Sequence, residues 1–318
     1  MALLLELFAC CGILDKEIHY SQSEVKMKGI ILAAGKGTRL YPITHSVCKP
    51  LLPVYDKPMI YYPLSLLLEM GITDILIIVP PDEQAQFENL LGDGDSFGAK
   101  ITYIKQFERR GIADAFILGA DFIGNDSACL ALGDNIFFGN NLRENLLKAM
   151  GNKSGATVFG LYMEDPRPFG VVEFNGEGKV ISLEEKPQKP KSNYIIPGLY
   201  FYDNRVVDIV KTVTPSARGE LEITSVNSEY LRMDDLHVVT LGKDITWFDT
   251  GNSSTLLDAA CAIRDYKDET GLQIGCPEEV AYNNGLISHE KLLSVAEKIK
   301  MSDYGKYLVD FAVNCNED

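Results

Sequence analysis

The sequence predicts an α/β protein: a doubly wound, mostly parallel, Rossmann-like sheet with an antiparallel extension and C-terminal helices. Three observations predict it. Short continuous apolar runs, as in strands buried on both faces, alternate with helix-period segments through the first half of the chain. The first of these runs ends at once in a glycine-rich loop, as a parallel strand does when it delivers a ligand-binding turn. From Gly155 onward the rhythm changes to closely spaced strands of period-two character.

Taken in order, the first strand is Gly29 to Ala33, and the loop Ala34-Gly35-Lys36-Gly37-Thr38-Arg39 follows it. Pro58 to Met70 has apolar residues at helical spacing and stops at Gly71, a C-cap residue. Asp74 to Val79 is a second strand, ended by Pro80-Pro81, and Pro81 to Leu91 reads as a helix closed by Gly92-Asp93-Gly94. Ile101 to Lys105 is a third strand, Ile112 to Phe122 a helix, and Ala128 to Leu132 a fourth strand. In the second half, strands are expected over Ala156 to Tyr162, Val171 to Phe174, Val180 to Glu184 and Ile195 to Tyr202. Asn175 to Gly178 makes the tight turn between the second and third of these. Helices are expected over Arg205 to Thr212, Leu221 to Met233 and Thr255 to Thr270, a strand over His237 to Leu241, and a helical tail over Ser288 to Val309. No Pro/Gly/Ser linker interrupts residues 27–318, so a single domain is expected there.

Composition narrows the function. The formal net charge of −15 disfavours a nucleic-acid or anionic-membrane surface, since both need a basic face. Any affinity for phosphate must then come from local cations. Seven cysteines without a C-x-x-C pair suit a reducing, cytoplasmic setting and argue against structural zinc. The apolar stretch Met1 to Leu14 lacks the basic start of a secretory signal and is too short and interrupted to span a membrane. Residues 1–26 therefore read as an extension outside the core, with Met27 at the first strand.

The chemistry concentrates in Lys28 to Lys57. Two glycines let the loop backbone approach a ligand, and its N–H groups with Lys36 and Arg39 form an anion cradle suited to a polyphosphate. A dinucleotide fingerprint fails because Leu40 stands where a third glycine is needed. A Walker loop fails because five residues separate Gly29 from Gly35 and Gly37 follows Lys36.

Leu32-Ala33-Ala34-Gly35-Lys36-Gly37-Thr38-Arg39-Leu40 followed by Lys49-Pro50-Leu51-Leu52-Pro53-Val54 resembles the signature of the sugar-phosphate nucleotidylyltransferases. Further segments extend the likeness from Met27 to the tail: Tyr61 to Leu64, Leu90 to Gly94, Phe169 to Phe174, Leu183 to Pro187, Gly198 to Asp203, Arg218 to Thr224 and Trp247 to Gly251. Together they resemble the short, tetrameric class of glucose-1-phosphate thymidylyltransferases. The resemblance implies transfer of a nucleotidyl group from dTTP to glucose 1-phosphate with Mg2+, in a homotetramer subject to feedback inhibition. It divides the chain into a nucleotide-binding half at 27–150, a sugar-binding half at 151–254 and a helical tail at 255–318. Position by position, Gly35 and Gly37 would cradle the nucleotide phosphates, and Arg39 and Lys49 would neutralise the triphosphate as the catalytic cations. Asp134 and Asp249 would hold magnesium. Lys186 would grip the sugar 1-phosphate, and Glu185 with Gly170 would hydrogen-bond the sugar hydroxyls. Leu32, Asp82, Gly111 and Trp247 also fall at substrate-binding positions.

Asp134 ends an apolar strand and Asp249 an apolar-aromatic segment, and one or two carboxylates plus substrate phosphates suffice for Mg2+. No required histidine is evident, since the phosphate nucleophile is ionised at neutral pH. Three departures stand out: Ala34 replaces a glycine, Phe169 replaces a tyrosine, and Pro81-Asp82-Glu83 and Asp114 replace glutamine-bearing segments. An amide can donate and accept, as thymine or uracil requires, whereas ionised aspartate only accepts and would suit guanine. GTP or UTP, a modified sugar phosphate, and a catalytically silent nucleotide-sugar sensor are therefore the competing readings.

Overall fold

The computed structural model describes residues 26–315, so all but the last residue of the expected N-terminal extension lies outside the described residues. β1 (Met27–Leu32) leads through the glycine loop to a small hairpin, β2 (Pro53–Val54) and β3 (Lys57–Pro58), then to α1 (Tyr61–Glu69) and β4 (Asp74–Val79). Next come α2 (Gln84–Leu91), β5 (Lys100–Lys105), α3 (Asp114–Leu118), α4 (Ala120–Ile123), β6 (Ser127–Leu132), β7 (Asn135–Gly139) and α5 (Leu142–Met150). The strand-rich part contains β8 (Ala156–Tyr162), β9 (Gly170–Phe174), β10 (Val180–Glu185), β11 (Tyr194–Ile195) and β12 (Leu199–Tyr202). It continues with α6 (Val206–Thr212), α7 (Ile223–Arg232), β13 (Leu236–Thr240) and β14 (Ile245–Asp249). The helices α8 (Ser253–Thr270), α9 (Pro277–Asn283), α10 (His289–Ile299) and α11 (Asp303–Asn314) complete the chain.

The main sheet runs β10-β9-β11-β8-β12-β6-β1-β4-β5, with β13 paired to β8. Strands β6, β1, β4 and β5 are parallel, while β12 joins this block to β8 through antiparallel ladders on both sides. The parallel strands read as unbroken apolar runs because helices cover both of their faces. Along β4, Ile75, Ile77 and Val79 enter the core on the α1 side, and Leu76 and Ile78 enter the core shared with Phe116, Val226 and Tyr230. A period of two thus feeds two cores from one strand.

Several expected elements take a different form. The helix expected over Ile112 to Phe122 is two short helices divided at Gly119, and that expected from Pro81 starts only at Gln84. Ile195 to Tyr202 is not one strand, because Pro197 has no N–H to give a ladder and the Gly198 N–H donates instead to Asn135 Oδ1 at 2.9 Å. The tail is two helices separated at Lys300 to Ser302, where Ser302 accepts from Gly305 N–H and restarts the chain as α11. An antiparallel pair, β7 with β14, was not expected at all. It lies outside the main sheet and sets Asp249 opposite Asn135.

Candidate active site

The carboxyl ends of β1 and β6 open onto a cleft of about 290 Å³, lined among others by Arg39, Asp134, Glu185, Lys186, Trp247 and Asp249. Each residue arrives for a local reason. Gly133 packs against the end of β1, its N–H donating to the Leu32 carbonyl at 3.0 Å, so that Asp134 begins as the parallel strand stops. Asp249 is carried across from the far end of the chain by the β7–β14 ladder. The Thr250 hydroxyl and N–H both donate to the Asp134 carbonyl, at 2.9 and 3.2 Å, and fasten the two aspartates' backbones together.

The cleft gathers charge of both signs. Lys49 is buried and ion-pairs with Asp134, whose other carboxylate oxygen accepts from Asn135 Nδ2 at 3.0 Å. Burial raises the Asp249 carboxyl above the ordinary aspartate range, and the Asp134 carboxylate adds to the rise, while Lys49, Arg39 and Lys186 oppose it. Arg39 packs its guanidinium against Gly251, where a Cβ would lie 2.6 Å from a terminal nitrogen. The close approach accounts for the glycine. In the loop, Gly37 has φ +60°, and the Thr44 hydroxyl donates to its carbonyl at 2.8 Å.

Two oxygen ligands that repel each other inside a cleft fit a hard divalent cation such as Mg2+, whose binding would relieve that repulsion. Among the described residues no group of three or more His, Cys, Asp or Glu side chains is arranged as a metal cage. Any such ion would therefore draw its remaining ligands from substrate phosphates and water.

On the other side of the cleft, Glu185 accepts from the Thr224 hydroxyl and lies 3.4 Å from the Lys186 ammonium and 3.5 Å from the Arg218 guanidinium. Lys186 is held at φ +46° with its N–H donating to the Phe169 carbonyl at 3.0 Å, a strained backbone of the kind functional sites retain. Phe169 meets Trp247 edge to face with ring centroids 5.2 Å apart, and the indole N–H donates to Asn135 Oδ1 at 2.7 Å. Gly170 lines the same cleft. Thr224 and Tyr200 stand in segments that carry the resemblance, but the sequence gives neither a role in the site. Tyr200 lines the cleft with Glu185 and Asp134, brought there by the β12–β6 pairing.

A second cavity, of about 530 Å³, adjoins the same glycine loop and is lined by Gly35, Lys36, Thr38, His45, Glu83 and Arg109, among others. The two aspartates whose chemistry would suit a guanine edge line neither cavity. Asp82 is exposed ahead of α2, and Asp114 is buried, paired with Arg110 at 2.8 Å and accepting from Gln106 Nε2 at 2.9 Å. Gly111 has φ +104° and passes so close to Leu221 that a Cβ would lie 2.4 Å from its carbonyl oxygen. Leu32 ends β1 beside these groups.

A parallel strand thus delivers a glycine loop to paired aspartates and converging cations. The nucleotidyl transferase family model matches residues 28–266, and the chain belongs to that family. Within it, the chain is similar to glucose-1-phosphate thymidylyltransferases. That of Neisseria meningitidis serogroup A is 52% identical over 283 residues, covering 89% of this chain and 98% of the relative. That of Mycobacterium tuberculosis is 50% identical over 284 residues, covering 89% and 98%. A solved Bacillus anthracis structure assigned to the same enzyme, in complex with a sucrose, superposes with a TM-score of 0.70. It is 43% identical and covers 75% of this chain and 96% of its own. A UDP-glucose pyrophosphorylase complexed with UDP-glucose, 22% identical with a TM-score of 0.64, shares the fold.

Proposed function

We propose that this nucleotidyltransferase transfers the thymidylyl group of dTTP to glucose 1-phosphate, forming dTDP-glucose and pyrophosphate. The observation that carries the reading is the single cleft in which Arg39, Asp134, Glu185, Lys186 and Asp249 meet, with Lys49 paired to Asp134 at its edge. Its relatives at half identity over nearly their whole length are glucose-1-phosphate thymidylyltransferases, which supports dTTP and glucose 1-phosphate as substrates.

The phosphate of the sugar has a second pKa of about 6, so its attacking oxygen is already ionised at neutral pH and needs no base. The barrier is the approach of two anions. Lys186 holds the sugar phosphate, Glu185 and the Gly170 backbone orient the hydroxyls, and the Gly35 to Gly37 backbone receives the triphosphate. Arg39 and Lys49 offset charge as it shifts from the α-phosphate to the departing pyrophosphate. Asp134 and Asp249 would hold Mg2+, which when bound neutralises phosphate charge and fixes the in-line geometry. Each group is needed for positioning or charge, and none for proton transfer.

Cytoplasmic location suits the free thiols of the described cysteines, and no described helix is long and apolar enough to cross a membrane. A homotetramer is implied by the likeness to the short class, and light scattering after size exclusion tests it. The reaction itself is tested by pyrophosphate release from dTTP and glucose 1-phosphate. Release that requires both substrates and is abolished by chelation supports the reading, and no release with either metal-loaded or chelated protein rejects it.

A further inference from the structure

The chemistry above brings the triphosphate to the Gly35 to Gly37 backbone but gives no part to Arg109, which lines the 530 Å³ cavity on the same loop. In an in-line displacement the entering oxygen and the leaving group lie on opposite sides of the α-phosphorus. Glu185 and Lys186 fix the entering side in the sugar cleft. The leaving side is then across the glycine loop, where Gly35, Lys36 and Thr38 line the second cavity.

Arg109, from the segment after β5, completes that cavity. Its Nε donates to the Ala34 carbonyl at 2.7 Å, which ties this segment to the glycine loop. Its terminal nitrogens have no hydrogen-bond or ion-pair partner among the described residues, and neither does the Lys36 ammonium. A guanidinium fixed through Nε keeps its terminal N–H groups free for phosphate oxygens. One carboxylate, Glu83, also lines the cavity, but its Oε2 is buried out of solvent reach, and two cations outnumber it.

We propose that Arg109, with Lys36, binds the β- and γ-phosphates of the triphosphate and holds them as they leave. In the step, the sugar-phosphate oxygen forms a bond to the α-phosphorus while the bond from that phosphorus to the bridging oxygen breaks. The electron pair goes to pyrophosphate, whose added charge faces Arg109. The inference rests on the nucleotidyl-transfer reading, because it takes the leaving group from it.

The test uses the full chain as wild type, Arg109→Gln and Arg109→Lys, all checked for unchanged thermal melting. Steady-state kinetics in both directions and calorimetric binding of magnesium pyrophosphate and of thymidine are compared. Arg109→Gln should raise the KM for pyrophosphate in the reverse reaction, and that for dTTP in the forward one, about 10- to 100-fold. The KM for glucose 1-phosphate and the affinity for thymidine should stay within twofold, and Arg109→Lys should recover part of the loss. An unchanged KM for pyrophosphate, or an equal loss of thymidine binding, overturns the inference. If wild type forms no nucleotide sugar, the parent reading fails. Pyrophosphate binding lost in Arg109→Gln would even then support the site, and binding retained would reject it.

Discussion

At the scale of single residues, Lys49 is the buried cation of the cleft. Its side chain is buried and paired with Asp134, a partner that also serves the proposed metal, so its charge is held at the point where phosphate charge would develop. Lys49→Met is expected to lower kcat about 10²–10³-fold in a pyrophosphate-release assay, in the range found when one preorganised charge-stabilising donor is removed. Gly251→Ala isolates Arg39. A Cβ placed 2.6 Å from its guanidinium must displace a flexible side chain rather than backbone, so Tm should hold while kcat/KM for dTTP falls at least tenfold. The motif positions Arg39, Lys49, Asp134, Glu185, Lys186 and Asp249 were legible through the family resemblance that the glycine loop and its companion segments carry, since spacing alone does not show that Asp134 and Asp249 meet. Arg109, Tyr200 and Thr224 were not, because their contacts depend on pairings between distant segments. For Asp82 and Asp114 the residue type was readable but the direction was not. One faces solvent and the other is buried against Arg110 and Gln106.

At the scale of elements, the β7–β14 pair decides whether the two aspartates meet. Gly139 ends this ladder at φ +132°, with a would-be Cβ 2.0 Å from the Asp244 carbonyl oxygen. Gly139→Val should lower the unfolding free energy by about 2–3 kcal/mol in urea titration and reduce activity with it, because the register of Asp249 depends on the same ladder. These strands escaped the sequence reading because Asn135 to Gly139 and Ile245 to Asp249 are short, with Asn, Asp and Gly at their ends. The long apolar strands of the parallel block were legible because helices on both faces require continuous apolarity. The docking of the C-terminal helices offers a second handle. Glu278 of α9 is fully buried, accepts from the Tyr304 hydroxyl, and burial raises its carboxyl above the ordinary glutamate range. A raised folded-state pKa means that the stabilising contribution is complete below the ordinary pKa and is lost as pH rises through the raised one. Glu278→Gln removes that titration. Its Tm should match wild type in acid and exceed it at pH 8 by roughly 2–4 °C for each kcal/mol recovered, and a gap that widens toward acid instead would show the sign to be wrong.

At the scale of the whole molecule, the fold joins a parallel block that delivers the glycine loop to an antiparallel extension that supplies Glu185 and Lys186, and the cleft lies at the seam. The strand β12 makes the seam by pairing antiparallel with β6 on one side and β8 on the other. The whole carries a net charge of −15, so substrate anions must be captured by a few placed cations rather than drawn in by the overall field. The most direct measurement is a side-by-side comparison of dTTP, UTP, GTP, CTP and ATP with glucose 1-phosphate and Mg2+, reading pyrophosphate release and the mass of the product. A preference for dTTP with dTDP-glucose as product, and UTP weaker, is the predicted result. A preference for GTP, or no nucleotide sugar with any of the five, would contradict the account.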